Sequence, residues 1–156
     1  WWKNPKAKES VKLAAAPSML YDMYVNTLHG WFNKNFKPEI TIYSSAHLSG
    51  GAFKEKLAKD ILFPKKLSAE LFDLWEPPKI MRQCAEWRKI GDEEFYEVWH
   101  GGQGMLLIIE EKDADYCIKR AKDFGIEAKV AGKITKEKIP QVSINSKLTP
   151  GKIIII

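Results

Sequence analysis

Apolar residues recur along this chain either at three- and four-residue steps or in short alternating and continuous runs. The first periodic stretch opens at Pro17 and Ser18 and predicts a helix that continues to about Phe36. Further helices are predicted over residues 53–62, 78–88, 93–99 and 113–124. Strands are predicted over residues 40–46, 69–74, 105–109, 126–134, 142–144 and 153–156. This alternation predicts an α/β fold, or α+β sandwich, with a mixed β-sheet flanked by helices.

One segment of this pattern has the form of a known unit. Residues 103–134 follow the order strand, helix, strand at the length of one βαβ unit. Met105–Ile109 is a continuous apolar run, which is typical of a buried strand. Asp113 opens the helix and Gly125 is suited to ending it. We therefore expect a βαβ unit here.

Composition limits the class of protein. The 156 residues fit one domain, and 45% hydrophobic and 29% charged residues are ordinary for a globular fold. No apolar run approaches the roughly 20 residues that a membrane helix needs. The chain begins with Trp1 rather than Met, so we expect residues 1–16 to be a lead-in segment from a missing N-terminal part. Residues 17–156 are then expected to form the domain.

Charge favours anionic partners. The formal charge of +5 and the pI near 9.1 suit phosphate esters, nucleotides or nucleic acid. The lysines are scattered among glutamates, however, and the only arginines are Arg82, Arg88 and Arg120. A general nucleic-acid-binding module is therefore a less favoured alternative.

Several kinds of site lack their sequence motifs. Cys84 and Cys117 are the only cysteines, and no Cys/His spacing indicates zinc. There is no GxSxG nucleophile elbow, dinucleotide fingerprint or Walker loop. The remaining candidates for chemistry are two glycine-containing loops.

The first glycine loop, Ala46–Ala52, joins a predicted strand to a predicted helix. Gly50 and Gly51 allow the backbone to pack close to a ligand. Amides at the start of a helix can hold a phosphate, and Ser49 can add a hydroxyl donor. His47 can donate a hydrogen bond to an anion or act as an acid or base near neutral pH. Spacing alone leaves open the alternative of a tight turn with a structural histidine.

The second glycine loop, Trp99–Met105, leads directly into a predicted buried strand. It carries three glycines, Gly101, Gly102 and Gly104. They predict a backbone that lies close to a ligand or to another chain segment, and crowded packing alone remains an alternative. We expect His100 to be the most exposed histidine, and His29 to be structural within the first helix.

The order of these segments resembles the C-terminal domain of aminoimidazole ribonucleotide synthetase, also called phosphoribosylformylglycinamidine cyclo-ligase. That family has Ala-His-Ile-Thr-Gly-Gly-Gly after a strand, at the place of Ala46–Ala52 here. Its stretch ending in Trp-Pro-x-Pro-Pro corresponds to Glu70–Pro78. Its Glu-Met-Tyr-x-x-Phe-Asn-Met-Gly-Ile-Gly-Met pattern corresponds to Glu94–Met105, and its Thr-Pro-Thr-x-x-Tyr to Pro17–Tyr21. The resemblance spans about residues 17–134.

Three departures from the family pattern lie in the two glycine loops and bear on the substrate. Ala52 stands in place of the third glycine, His100 in place of the asparagine, and Gln103 in place of an apolar residue. The substrate could therefore differ within the wider superfamily, which includes selenophosphate synthetase and thiamine-monophosphate kinase. A non-catalytic domain that binds a phosphorylated metabolite is a further alternative.

The resemblance implies a cytoplasmic, ATP-dependent ring closure that yields aminoimidazole ribonucleotide in purine biosynthesis. ATP and magnesium are expected to bind mainly through an N-terminal ATP-binding domain, because its Asp-Gly-Val-Gly-Thr-Lys segment is not found here. This chain would hold the phosphorylated ribonucleotide, be inactive alone, and belong to a homodimer in the full-length protein, with no role for a membrane. The resemblance implies His47 as the catalytic residue and the following substrate or phosphate contacts: Ser49, Gly50, Gly51, His100, Gly102 and Gly104.

Overall fold

The computed structural model describes residues 3–156. Its α-helices are α1 (Pro5–Ala14), α2 (Asp22–Leu28), α3 (Lys79–Arg88), α4 (Asp92–Val98) and α5 (Ala114–Lys122). A π-helix spans Phe53–Leu62, and short 3₁₀ turns span Phe63–Lys65 and Glu111–Asp113. The strands are β1 (Ile42–His47), β2 (Ser68–Leu71), β3 (Met105–Ile109), β4 (Gly132–Thr135), β5 (Val142–Asn145) and β6 (Ile153–Ile155).

The strands form two sheets. β1 and β3 form an antiparallel pair in which His47 lies opposite Met105 and Ile42 opposite Ile109. The second sheet has the order β4-β2-β5-β6. In it β2 is antiparallel to β4 and parallel to β5, and β5 is antiparallel to β6. The predicted class, a mixed α/β fold with sheets flanked by helices, is confirmed at this level; the family-specific domain fold stays a prediction.

The predicted βαβ unit over residues 103–134 is wrong. β3 pairs with β1 and β4 pairs with β2, so α5 connects strands of different sheets. The predicted strand 126–134 enters a ladder only at Gly132, where the chain passes against β2. All five positions of β3 are half-buried rather than buried, and within residues 3–156 β3 pairs with β1 alone.

The first helix is much shorter than the apolar spacing predicts. Only Asp22–Leu28 is helical, because Gly30 adopts a φ of +79° and lies against the backbone of Lys37. A Cβ at Gly30 would lie 2.4 Å from the carbonyl carbon of Lys37. His29 is therefore an exposed C-terminal cap rather than a residue inside a helix. Trp31, which the longer predicted helix would include, lies beyond the end of α2 and is 60% exposed.

Two clusters of buried side chains support the fold. The larger one packs the π-helix and α4 against the four-stranded sheet, with Phe53, Leu62 and Tyr96 fully buried. The smaller one lies between α2 and α5, where the Tyr24 hydroxyl donates to the Cys117 carbonyl oxygen at 2.9 Å. Each cluster touches one side of β3, so this strand connects them.

Other elements agree closely with the sequence pattern. The helix predicted at 53–62 and the strand predicted at 105–109 have the predicted bounds. The closing isoleucines form β6, although only Ile154 is buried. Of the expected lead-in segment, residues 1 and 2 lie outside the described residues, and α1 buries no residue. No helix within residues 3–156 has the length and hydropathy to cross a bilayer.

Candidate functional site

The two glycine loops meet at one end of the β1/β3 pair. His47 is the last residue of β1 and lies opposite Met105, the first residue of β3. The ladder continues one step further, because the Leu48 amide donates to the Gly104 carbonyl oxygen at 2.9 Å. Antiparallel pairing therefore brings together two motifs that are about fifty residues apart in the sequence.

The imidazoles of His47 and His100 are close enough to interact electrostatically. Burial lowers the pKa of His100, and the charge on a protonated His47 lowers that pKa further. A backbone hydrogen bond with Gln103 opposes this shift in pKa. The Tyr21 ring also lies near His47, with ring centroids 6.3 Å apart. The structure thus groups two predicted histidines with a tyrosine.

His100 is less accessible than the sequence suggests. It is half-buried, whereas His47 and His29 are exposed, so the expectation that His100 is the most exposed histidine is wrong. The Gly102 amide donates to its Nδ1 at 3.2 Å. A neutral imidazole with Nδ1 as acceptor carries its proton on Nε2. His100 is therefore arranged as a neutral hydrogen-bond donor near pH 7.

Most backbone N–H groups of the first glycine loop donate hydrogen bonds to backbone oxygens of the protein itself. The Ser49 amide donates to the His47 carbonyl oxygen at 3.1 Å, and the Gly51 amide to the Val98 carbonyl oxygen at 3.2 Å. Those of Leu48 and Ala52 also donate to backbone oxygens. The Gly50 amide alone among residues 48–52 has no backbone acceptor within residues 3–156. Gly50 and Ser49 are exposed, so they form a smaller anion-binding surface than the sequence implies.

The backbone conformation at Ala52 explains why a glycine suits this position of the loop. Its φ of +25° and ψ of −112° lie in a region that side chains disfavour, and the residue is fully buried. A glycine would adopt this conformation without steric cost. The departure from the third glycine of the resembling pattern therefore introduces local strain at the start of the π-helix.

Two predicted site glycines lie in close contact with other chain segments. A Cβ at Gly104 would lie 1.8 Å from the Tyr21 hydroxyl oxygen. A Cβ at Gly102 would lie 2.7 Å from Cδ of Pro78, and φ at Gly102 is +91°. Both positions allow close approach of chain segments, so the packing explanation for the second loop has direct support.

A cavity of about 1000 Å³ separates β3 from the chain between residues 125 and 134. Its wall is mainly apolar and includes Trp75, Gly102, Gln103 and Gly104. The second glycine loop therefore borders a space large enough for a small ligand. Five of the predicted site residues do not line it: His47, Ser49, Gly50, Gly51 and His100.

Two residues near the loops were given no role by sequence reasoning. Tyr21 matches the Thr-Pro-Thr-x-x-Tyr pattern, which was the available signal for its position beside His47. Gln103 is buried in the second glycine loop, and its only signal was that it departs from an apolar residue in the pattern.

The described residues offer no arrangement suited to magnesium. Within residues 3–156, no three His, Cys, Asp or Glu side chains are grouped so that they could hold a metal ion. Mg²⁺ prefers carboxylates and phosphate oxygens. The glycine loops instead present imidazole, hydroxyl and amide groups, which suit an anion.

Comparison with known proteins identifies relatives of one kind, although no family model matches the chain. The chain is 33% identical over 98 residues to the phosphoribosylformylglycinamidine cyclo-ligase of Caldicellulosiruptor bescii, covering 62% of this chain and 28% of that protein. It is 29% identical over 121 residues to the enzyme of the same name from Caldanaerobacter subterraneus, covering 77% and 33%. For that of Oceanobacillus iheyensis, the identity is 26% over 135 residues, covering 85% and 37%.

The chain spans about a third of the length of these relatives. The similarity covers most of this chain, as the order of its motifs predicted. The resemblance to phosphoribosylformylglycinamidine cyclo-ligases is therefore confirmed by sequence comparison.

Proposed function

We propose that this chain is the substrate-holding part of an ATP-dependent phosphoribosylformylglycinamidine cyclo-ligase, which makes aminoimidazole ribonucleotide. The observation that carries the proposal is that the two glycine loops, which carry His47 and His100, meet at one end of the β1/β3 pair. These histidines belong to the two glycine loops on which the resemblance rests. Sequence similarity to cyclo-ligases supports the same assignment.

The proposed ligand is a phosphorylated ribonucleotide. Ser49 and the Gly50 amide offer exposed donors to its phosphate, and the +5 net charge favours its approach. His47 is exposed and serves as the acid or base, while His100 donates from Nε2 as a neutral ring. Gly102 and Gly104 shape the wall between the loop and the cavity.

The remaining parts of the activity lie outside this chain in the proposal. ATP would supply the phosphoryl group that activates the formyl oxygen, and it would bind with magnesium mainly in an N-terminal ATP-binding domain. The chain alone is then expected to hydrolyse no ATP. The joined protein is expected to act in the cytoplasm as a homodimer.

The decisive experiment joins the chain to the ATP-binding part of a cyclo-ligase and measures aminoimidazole ribonucleotide formation. His47→Ala is expected to lower kcat by at least about 100-fold, because general acid–base groups contribute at least that much. His29→Ala is the matched control, since His29 is an exposed helix cap. Circular dichroism checks that both variants keep their secondary structure.

Two outcomes would contradict the proposal in different ways. An unchanged rate in His47→Ala removes that residue from the site. ATP turnover only with a different acceptor refutes the substrate and favours another member of the superfamily.

A non-catalytic phosphometabolite-binding domain is the second candidate. It is favoured by Ala52 and by the internal use of most first-loop amides. It predicts that ribose 5-phosphate shifts the amide resonances of Ser49 and Gly50 in the chain alone, while the joined protein shows no turnover. Absence of such shifts at millimolar ligand would refute this candidate.

A further inference from the structure

The Gln103 side chain is a buried amide that uses all but one of its hydrogen-bonding positions. It is only 3% exposed. Its Oε1 accepts from the Trp75 amide at 2.9 Å, and its Nε2 donates to the carbonyl oxygens of Trp75 at 3.0 Å and of Gly101 at 2.9 Å. The side chain therefore pairs with the Trp75 peptide much as a neighbouring strand would.

This pairing fixes the second glycine loop on the segment from Trp75 to Pro78. The backbone N–H of Gln103 also donates to the His100 carbonyl oxygen at 2.9 Å, which forms a turn within the loop. Gly102 rests directly on Pro78, with no room for a Cβ between them. The loop is thus held from two sides, by polar pairing at Gln103 and by close packing at Gly102.

The loop in turn holds the ring of His100. The Gly102 amide, one residue before Gln103, donates to Nδ1 of His100. Gln103 Nε2 donates to the Gly101 carbonyl oxygen, which belongs to the same peptide unit as the Gly102 N–H. Rotation of that peptide would break the 3.2 Å contact with Nδ1. The tautomer of His100 therefore depends on the anchoring of the loop.

We propose that Gln103 is a positioning residue, whose side-chain amide holds the Gly102 N–H against Nδ1 of His100 and so keeps the proton of the neutral ring on Nε2. That His100 then donates to a phosphorylated substrate rests on the proposed function, whereas the positioning itself does not. Gln103 acts through the loop and contacts no reacting atom.

Two departures from the cyclo-ligase pattern are consistent with Gln103 positioning His100. The pattern has an asparagine where His100 stands and an apolar residue where Gln103 stands. An asparagine side chain always carries its donor, so it needs no partner to fix a tautomer. A histidine in its place needs such a partner to fix its tautomer. Here the Gly102 N–H is that partner, and the Gln103 side chain holds it in place.

The first measurement needs no variant. Exchange of the Gln103 side-chain amide protons with solvent, followed by NMR in the 156-residue chain, is expected to be at least about tenfold slower than that of Gln83. Gln83 is the matched control because its side chain lies on α3 with only a 3.5 Å contact to Glu86. Equal exchange of the two side chains would refute the anchoring.

The second measurement tests the effect on His100. Long-range ¹H–¹⁵N spectra at pH 8 are expected to show a single Nε2–H tautomer for His100 in the wild-type chain. Gln103→Met, which keeps the length but removes the amide, is expected to give a mixture of tautomers, whereas Gln83→Met leaves the spectrum unchanged. A folded Gln103→Met variant that retains the single tautomer overturns the proposal.

These measurements separate the inference from the proposed function. Neither uses substrate, ATP or turnover, so a failed cyclo-ligase assay leaves their outcome unaffected. If Gln103→Met does not fold, the exchange of the wild-type side chain still decides whether the anchor exists.

Discussion

Replacing Asp92 tests how the loop-bearing helix α4 is attached to the rest of the fold. Asp92 is 6% exposed, and its carboxylate accepts hydrogen bonds from the hydroxyls of Ser146 and Thr149. Lys152 lies 3.5 Å from Oδ2. These partners belong to the chain between β5 and β6, so Asp92 joins that connection to the helix that precedes His100.

The cost of Asp92→Ala follows from these contacts. Hydrogen bonds to a charged group contribute about 1.5–3 kcal/mol each. The variant removes those from Ser146 and Thr149 together with the longer one from Lys152, and it leaves both hydroxyl protons without their acceptor. Ser146 Oγ still accepts from the amides of Leu148 and Thr149, which limits the loss. We expect the free energy of unfolding to fall by about 3–4 kcal/mol, which for a chain of this size lowers Tm by about 10 °C.

Urea denaturation followed by circular dichroism measures this change. Glu93→Ala is the matched control, because Glu93 is exposed in the same first turn and its side chain has no hydrogen bond or ion pair within residues 3–156. Its interaction with the helix dipole is worth about 0.3–1 kcal/mol. If Asp92→Ala loses no more stability than Glu93→Ala, the carboxylate does not hold the β5–β6 connection and the reasoning is refuted.

The pH dependence gives a second check on the same residue. Burial raises the pKa of Asp92, but the hydrogen bonds from Ser146 and Thr149 and the charge on Lys152 outweigh burial and hold it below its ordinary value. A depressed pKa in the folded state stabilises the fold at pH values above the unfolded pKa of about 3.9, and this stabilisation is lost as pH falls towards the folded pKa. The stability difference between wild type and Asp92→Asn should therefore be constant above about pH 5 and shrink below it.

Two further substitutions test close packing and backbone strain in urea denaturation. Gly132→Ala should lower the free energy of unfolding by about 3 kcal/mol, because its Cβ would lie 2.1 Å from the Glu70 carbonyl oxygen and separate β2 from β4. Gly125→Ala, with open space but a φ of +67°, should lower it by only about 1 kcal/mol, and equal losses would contradict the packing argument. Ala52→Gly should be nearly neutral, because relief of about 1–2 kcal/mol of strain offsets the lost methyl group, whereas Ala58→Gly in the π-helix should lose about 2 kcal/mol. A loss in Ala52→Gly as large as that in Ala58→Gly would show that Ala52 is not strained.

Local patterns in the sequence determined which segments become helices and strands. The π-helix and β3 begin and end where their apolar spacing predicted, because that spacing depends only on neighbouring residues. The two glycine loops were also identified as loops at strand ends. The order of their motifs was sufficient to indicate the relatives that the comparisons then identified.

Contacts between distant segments decided the rest. The sequence could not show that α2 ends early, because that depends on Gly30 packing against Lys37. Nor could it assign β3 and β4 to different sheets, since strand partners depend on long-range pairing that periodicity does not encode. Burial of Asp92, the first residue of α4, likewise depends on its partners between β5 and β6.

The candidate site illustrates the same division. Residue types and glycine spacing in the sequence marked His47 and His100 as candidates for chemistry. Only the antiparallel register that sets His47 opposite Met105 brings together the two loops that carry these histidines, and only the fold of the second loop orients His100. Residue type and local spacing determine which chemistry a side chain is capable of. Strand register and packing determine which other groups lie beside it, because register and packing depend on the free energy of the whole chain.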